Sequence, residues 1–323
     1  MNNYDANATD VSAIIIALVQ VVLFVFLAPL LMGVIRQVRA TIEGRAGAGI
    51  WQPWRDLRKL LAKNPVRGTD SSWMLRVGPV ALVVSSLLLC VLLPLVGTIP
   101  FALIPSDLFV IVSIMLIGVV ALALVGLDGG TAFGGMGSSR HMTVAALVEP
   151  TLLLSVYAFS IPAGTSTLSV IVETRLLSPE LIISPVSVLA LVALSIAIMA
   201  ETARLPIDNP GTHLEVTMLH EAMTLEASGR DLAWLEVGSW LKLAALLGLV
   251  SNLIVPWGVV TDFSALGLVI GVVSIAVKVL VLGVLLSVGE IFLAKVRLFQ
   301  VPELLAGSFA LAFLAVTASY LVA

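Results

Sequence analysis

The chain has 323 residues, of which 59% are hydrophobic and only 11% charged, with a mean hydropathy of +1.12 and a formal net charge of −3. Soluble domains carry about a quarter charged residues, so this composition excludes a soluble globular protein and describes an integral membrane one. Apolar runs of about twenty residues match a helix crossing about 30 Å of hydrocarbon and are too long for barrel strands, which makes the fold class an all-α bundle in a single membrane domain, residues 1–323.

The first ten residues, MNNYDANATD, carry acids but neither a basic stretch nor a small-residue cleavage site, so they do not read as a signal peptide. Eight transmembrane helices are expected in chain order, at about 12–36, 74–97, 107–127, 141–163, 183–203, 237–258, 264–291 and 303–322. The fifth should stop by Pro206, which lacks an N–H donor and moves Leu205 away from helical angles. Apart from Arg175, Lys242 and Lys278, all 17 basic residues fall in or beside the connections that follow spans one, three, five and seven. The positive-inside bias therefore puts those connections, notably 37–73 and 204–236, in the cytoplasm and both termini outside. Cations that hug one face of a bilayer are explained by topology or anionic lipid, and nucleic acid binding gains no support.

The connection after the first span mixes basic residues with Trp51, Trp54 and Trp73. A helix over roughly Pro53–Ala62 is expected to lie in the interface with its aromatics at headgroup depth, as a plain anchor or as a docking floor for a soluble partner. The connection's polar residues Arg45, Gln52, Arg55, Asp56 and Lys59, with Arg140 on the next connection of the same polarity, are the candidate docking residues. One cysteine, Cys90 in an apolar run, can form no internal disulfide and cannot ligate an iron–sulfur cluster, and it reads as a small core residue. The glycine-rich GLDGGTAFGGMGSSR over Gly126–Arg140 lacks the lysine of a phosphate loop and reads as a tight, closely packed loop. With no dinucleotide fingerprint either, any redox carriers belong to a partner.

Ionisable groups inside spans cost about 2.5–3.5 kcal/mol each on insertion scales and by default point to function. Glu149 precedes Pro150 in span four, where a kink would free backbone groups to solvate a carboxylate. Lys242 lies in span six, Lys278 deep in span seven with Glu290 near that span's end, and Lys278 is either a relay member or a cation satisfied by one acid. Glu201 and Arg204, three residues apart, are placed to pair on one helical face, whether as relay or as a pin on the helix end. The fifth span then runs into the polar stretch Glu201–Ala233, which holds Asp208, His213, Glu215, His220, Glu221 and Glu226. Histidine changes charge near neutral pH and carboxylates at a membrane edge have raised pKa values, so this cluster offers successive proton acceptors of similar affinity. The ligand types also suit zinc, but H-E-x-x-H is absent because Thr224 stands where its second histidine would be, and no metal is assigned.

GIWQPWRDLRKLL (Gly49–Leu61), GLDGGTAFGGMGSSR (Gly126–Arg140), LVEP (Leu147–Pro150) and ETARLPIDNPGTHLEVTMLHEAMTLEASG (Glu201–Gly229) resemble the membrane subunit of energy-converting nickel–iron hydrogenases. That family includes the formate hydrogenlyase membrane subunit and is homologous to the quinone-chamber subunit of respiratory complex I. The D-N-P-x-T-H-L-E and T-M-x-H-E-A-M elements are similar to the hydrogenase-type branch, not to the R-x-P-F-D and E-L-x-x-G-Y-x-x-E-Y pattern of the quinone-reducing branch. Two positions depart from the family: Ala48 replaces the proline of R-x-G-P-G-I, and Ala227 replaces the tyrosine of L-E-Y-S-G.

The resemblance implies a non-catalytic subunit of an oxidoreductase complex in a prokaryotic cytoplasmic (inner) membrane. Such a subunit docks peripheral hydrogenase-like large and small subunits and an iron–sulfur subunit, abuts antiporter-like membrane subunits, and links redox events to H⁺ or Na⁺ movement. It implies no cofactor in this chain, with the nickel–iron centre and iron–sulfur clusters in partner subunits. Asp208, Glu215, Glu221 and His220 would form the cytoplasmic end of a relay, Glu201 with Arg204 its mouth, and Glu149 an intramembrane station. Three other readings stay open: quinone reduction at this subunit; a free-standing secondary transporter, against which stands the lack of an internal repeat; and a purely structural anchor, whose intramembrane acids could all be neutralised without consequence.

Overall fold

The computed structural model describes residues 3–68, 71–98, 106–208, 219–293, 296 and 300–322. His213 and Glu215, candidate site residues, and the expected cytoplasmic cations Lys295 and Arg297 lie outside the described residues. Among the described residues, seven helices are long and apolar enough to cross a membrane: α1 (Asn3–Ile42), α3 (Met74–Leu92), α4 (Leu108–Asp128), α5 (Ala132–Ala163), α9 (Gly229–Ile254), α10 (Ala265–Phe292) and α11 (Val301–Val322). An eighth, α7 (Pro185–Glu201), is apolar but has 17 residues, or about 26 Å of helix. The all-α bundle of about eight spans forms as composition requires. Three short helices, α2 (Gln52–Leu61), α6 (Leu168–Leu177) and α8 (His220–Thr224), and a 3₁₀ turn at Pro179–Leu181 complete it.

Helix starts are written in the local sequence. Side chains of Asp107, Thr131, Ser184 and Ser264 accept the backbone N–H of Phe109, Gly134, Ser187 and Gly267 and so satisfy donors that the first turns of α4, α5, α7 and α10 leave open. Pro185 supports the same start in α7 from the first helical position. Asp128 does this across the chain: its carboxylate accepts from the backbone N–H of Ser72 and Leu75, tying the end of α4 to the start of α3.

Two sequence expectations change here. The glycine-rich segment is not a loop: Gly126–Asp128 finish α4, Ala132–Arg140 begin α5, and only Gly129, Gly130 and Thr131 join them. Its glycines serve helix contact instead, since a Cβ on Gly134 would collide with the Gly126 carbonyl of α4 and sit 3.0 Å from Glu226 Oε1. The second span stops at Leu92, not at 97, because Leu93 takes an extended ψ of 137° ahead of Pro94. Leu93, Leu95 and Val96 are nonetheless buried, and in hydrocarbon their backbone groups need partners. Gln20 supplies them by donating to the carbonyls of Cys90 and Leu93 and accepting from Val96 N at 2.9 Å, while Asn252 Nδ2 donates to the carbonyls of Pro94 and Leu95, each at 2.8 Å.

The hub of the bundle is α9, buried at every residue from Trp240 to Leu253 and packed against α3, α1 and α10. A second packing unit joins α11 to α5 and α7. On the outside, α10 turns Leu266, Val269, Val273, Val277 and Val281 outward as an apolar stripe suited to lipid or to another membrane helix.

Candidate functional site

The site forms where the last turn of α7 meets α9, α10 and α1. Helix α7 ends at Glu201, and Ala203 adopts a φ of +51°, which folds the chain back so that Arg204 N bonds Met199 O at 2.8 Å. A left-handed alanine costs about 1 kcal/mol or more, so this turn persists because its surroundings hold it. One consequence is a correction: Glu201 and Arg204 do not pair, since the helix ends between them and their side chains part. The Glu201 carboxylate instead meets the ammonium of Lys242 on α9, both groups being buried at 6% and 7% exposure. The Arg204 guanidinium crosses to Glu290 of α10 at 3.5 Å and to Met32 Sδ of α1 at 2.9 Å. Burial lowers its pKa from the usual arginine value, and the Glu290 carboxylate opposes that fall.

Asp208 accepts the backbone N–H of both Leu219 and His220 at 3.1 Å and so fixes the first turn of α8. That places His220 Nε2 3.3 Å from Ser239 Oγ on α9. Burial pushes the His220 imidazole down to about 4, outweighing the pull of Asp208, with Lys242 and Arg204 adding to the depression. The expectation that this histidine switches charge near neutral pH is therefore corrected: it stands neutral there, able to accept a proton on one nitrogen and release one from the other.

These groups enclose two spaces. A cavity of about 220 Å³ is lined by Arg36, Arg204, Asp208, His220, Glu236 and Glu290, among others, and has room for several waters. Behind it lies a space of about 20 Å³, enough for one water, lined by His141, Glu201, Ser239 and Lys242. Thr202, His220 and Ser239 line both, so the imidazole and hydroxyl form the partition between them. On α5 the buried His141 Nε2 has no hydrogen-bond partner among the described residues, and neither does the buried Glu149 Oε1 about 12 Å farther along the helix. Glu149 lies within electrostatic reach of both Glu201 and Lys242.

Glu149, Glu201, Arg204, Asp208, His220, Glu221 and Glu290 thus line the cavities or lie within reach of them. Two candidates do not join them. Glu226 accepts from the Thr131 hydroxyl and braces the joint between α4 and α5. Lys278 donates to Asn252 Oδ1 at 3.1 Å, completing the polar clamp around the unwound end of α3. Four residues were missed as site members: His141, Glu236, Ser239 and Lys242. The signal for His141 and Lys242 was present, because each is an ionisable group inside a span. Ser239 carries no such signal.

Beside the larger cavity, α2 buries Pro53 and Leu57 against the bundle and presents Arg55, Arg58 and Lys59 to solvent. Gln52 donates to Asp56 at 2.8 Å, and Asp56 lies 4.0 Å from Arg36, whose guanidinium sits over the Trp240 ring. Arg45 is exposed and paired with Glu43, and Arg140 is half-buried on the third turn of α5. Among the described residues no three of His, Cys, Asp and Glu converge as metal ligands.

A multi-pass helical bundle with acids, an imidazole and an ammonium strung inward from one end defines a membrane protein built around interior charge. The sequence profile of the NADH dehydrogenase family matches residues 14–320, and the chain belongs to that family. It is similar to hydrogenase-4 component C of Escherichia coli (strain K12), with 36% identity over 303 residues covering 94% of each chain. It is also similar to formate hydrogenlyase subunit 4 of the same organism, with 33% identity over 94% of this chain and 97% of that one. The resemblance read from the Gly49–Leu61, Gly126–Arg140 and Glu201–Gly229 motifs stands. The fold matches a chain in the structure of the membrane-bound sulfane sulfur reductase, an archaeal respiratory membrane complex, with a TM-score of 0.77, 19% identity and coverage of 95% of this chain and 99% of that one.

Proposed function

We propose that the chain is the membrane-anchoring, ion-coupling subunit of a multisubunit hydrogenase or hydrogenase-like complex. It docks a peripheral electron-transfer arm and links that arm's redox events to the movement of H⁺ or Na⁺ through adjacent antiporter-like subunits. The observation that carries this reading is the run of ionisable and polar groups from the open cavity at Asp208 and His220, past Ser239, to the buried Glu201–Lys242 pair and on to Glu149. Buried ionisable groups are expensive in a bilayer, and a series of them, joined by a water-sized space as far as the Glu201–Lys242 pair, is what a relay requires and what a plain anchor does not.

In this reading the exposed face of α2, with Arg55, Lys59 and neighbouring Arg45, Gln52, Asp56 and Arg140, faces the soluble arm on the cytoplasmic side of the inner membrane, and both termini lie outside. The nickel–iron centre and iron–sulfur clusters belong to the partner subunits. A change of charge in a docked subunit alters the field at Arg204, Glu290 and Asp208. The neutral His220, hydrogen-bonded to Ser239, passes a proton across the partition between the two cavities. Its arrival weakens the Glu201–Lys242 pair, and the freed charge biases Glu149.

Glu149→Gln tests this reading. Complex assembly should survive while ion pumping is abolished or uncoupled from electron transfer, measured in inverted vesicles with a pH- or Na⁺-sensitive dye. Wild-type pumping in that variant removes Glu149 from the mechanism.

A further inference from the structure

The other end of the bundle holds a cation that the relay does not use. Arg175, in the last turn of α6, is 3% exposed. Its Nε donates to Leu253 O at 2.8 Å, its Nη1 donates to Ser187 Oγ at 3.0 Å, and its guanidinium lies over the Phe159 ring at 4.7 Å. Nη2 is buried and has no partner among the described residues. Burial pushes the group down to about 10, which leaves it charged at neutral pH. A buried guanidinium with a vacant donor and, among the described residues, no ion-paired carboxylate is costly, and such an exception calls for an explanation.

The explanation lies next to it. A cavity of about 300 Å³ opens between the end of α5, α6, the start of α7 and α11, and Arg175 is the charged residue in its lining. The hydroxyls around it spend their protons on backbone: Thr174 on Val170 O, Ser184 and Ser187 on Leu181 O, and Ser319 on Ala158 O. Arg175 Nη2 is therefore the donor left for a guest. The remaining walls, including Ile161, Pro162, Ile171 and Val186, are apolar. One charged donor at the head of a greasy cavity selects a guest with one oxyanion and an apolar body.

We propose that this cavity is an oxyanion site in which Arg175 Nη2 donates to a phosphate oxygen while the apolar walls receive the chain attached to it. The phosphate comes from a phospholipid headgroup or from inorganic phosphate, and the experiment separates the two. The full chain would be purified in detergent with its partner subunits as wild type, Arg175→Gln and Ala163→Phe. The last variant plugs the cavity from its wall and leaves the bonds of the guanidinium in place, so it carries the test if Arg175→Gln fails to fold.

Native mass spectrometry would count retained phospholipid, and thermal midpoints would be read with added phosphatidylglycerol, diacylglycerol or inorganic phosphate. We expect one tightly held phospholipid in the wild type, with occupancy falling at least about tenfold in both variants, in Arg175→Gln from losing one charge-assisted hydrogen bond and in Ala163→Phe from filling the space the guest needs. A rise in midpoint with inorganic phosphate alone that both variants abolish supports the oxyanion site and assigns the source to solution. Equal retention and equal midpoints in all three proteins, or stabilisation by diacylglycerol matching that by phosphatidylglycerol, would overturn the proposal.

Discussion

The buried Glu201–Lys242 pair permits a measurement that separates structural cost from functional role. Lys242→Met keeps the length of the side chain and removes its charge, which leaves a carboxylate at 6% exposure without its partner. Breaking a buried pair in this way costs about 3–5 kcal/mol, because the orphaned charge has lost its solvent and its counter-ion together. Glu201→Gln strands the ammonium and should cost about 3 kcal/mol. In the double variant neither charge remains and the two neutral side chains pack at nearly native volume, so stability should return to within about 1 kcal/mol of the wild type or exceed it. The coupling energy from the cycle is then about 5 kcal/mol or more, well above the few tenths expected of residues that do not touch. Reversible unfolding of the four proteins in mixed micelles with rising SDS measures it. Additive losses, with a double variant as weak as the sum of the singles, refute the pairing. The same double variant addresses function, since a protein restored in stability but unable to pump assigns the pair to the relay and not to the scaffold.

Two further predictions rest on other contacts. The depressed His220 titrates near 4 in the fold against an ordinary 6.5, so the unfolded chain takes up the proton first on acidification and stability present above pH 6.5 is lost as pH falls through that window. The loss should reach about 2 kcal/mol by pH 5, and His220→Gln should remove that part of the slope; a wild-type slope in the variant refutes the assignment. A methyl group on Gly134 strikes the Gly126 carbonyl of the neighbouring helix, whereas one on Gly135 meets nothing within 4 Å. Gly134→Ala should therefore destabilise by about 1–3 kcal/mol while Gly135→Ala gains about 0.5–1 kcal/mol, and equal midpoints for the two would show that α4 and α5 do not meet there.

Hydropathy alone made most of the bundle legible, because a run of twenty apolar residues has one stable solution in hydrocarbon. The helix expected at Pro53–Ala62 forms over Gln52–Leu61, its amphipathic pattern and Pro53 marking the start. Pairings across helices were not legible. Sequence spacing placed Arg204 beside Glu201, but a left-handed Ala203 sends it to α10, and 41 residues separate Glu201 from the lysine it meets. The α3 terminus fails for a related reason: Leu93–Val96 look like span, and only the side chains of Gln20 and Asn252, from distant helices, make an unwound backbone tolerable there. Ser239 was invisible because a serine in a helix ordinarily bonds its own preceding carbonyl, as this one does to Leu235 O, and its approach to His220 depends on α8.

The strap at the start of α9 joins the basic face of α2 to the interior. Arg67 grips Asp231 through two bonds of 2.8 and 3.0 Å, Ser228 Oγ bonds both backbone groups of Val66, and Arg230 Nε donates to Leu61 O at the end of α2. From Asp231 to Lys242 is eleven residues of uninterrupted helix, about 16 Å. Any displacement of α2 is thus carried through the strap and along continuous helix to the buried ammonium of Lys242.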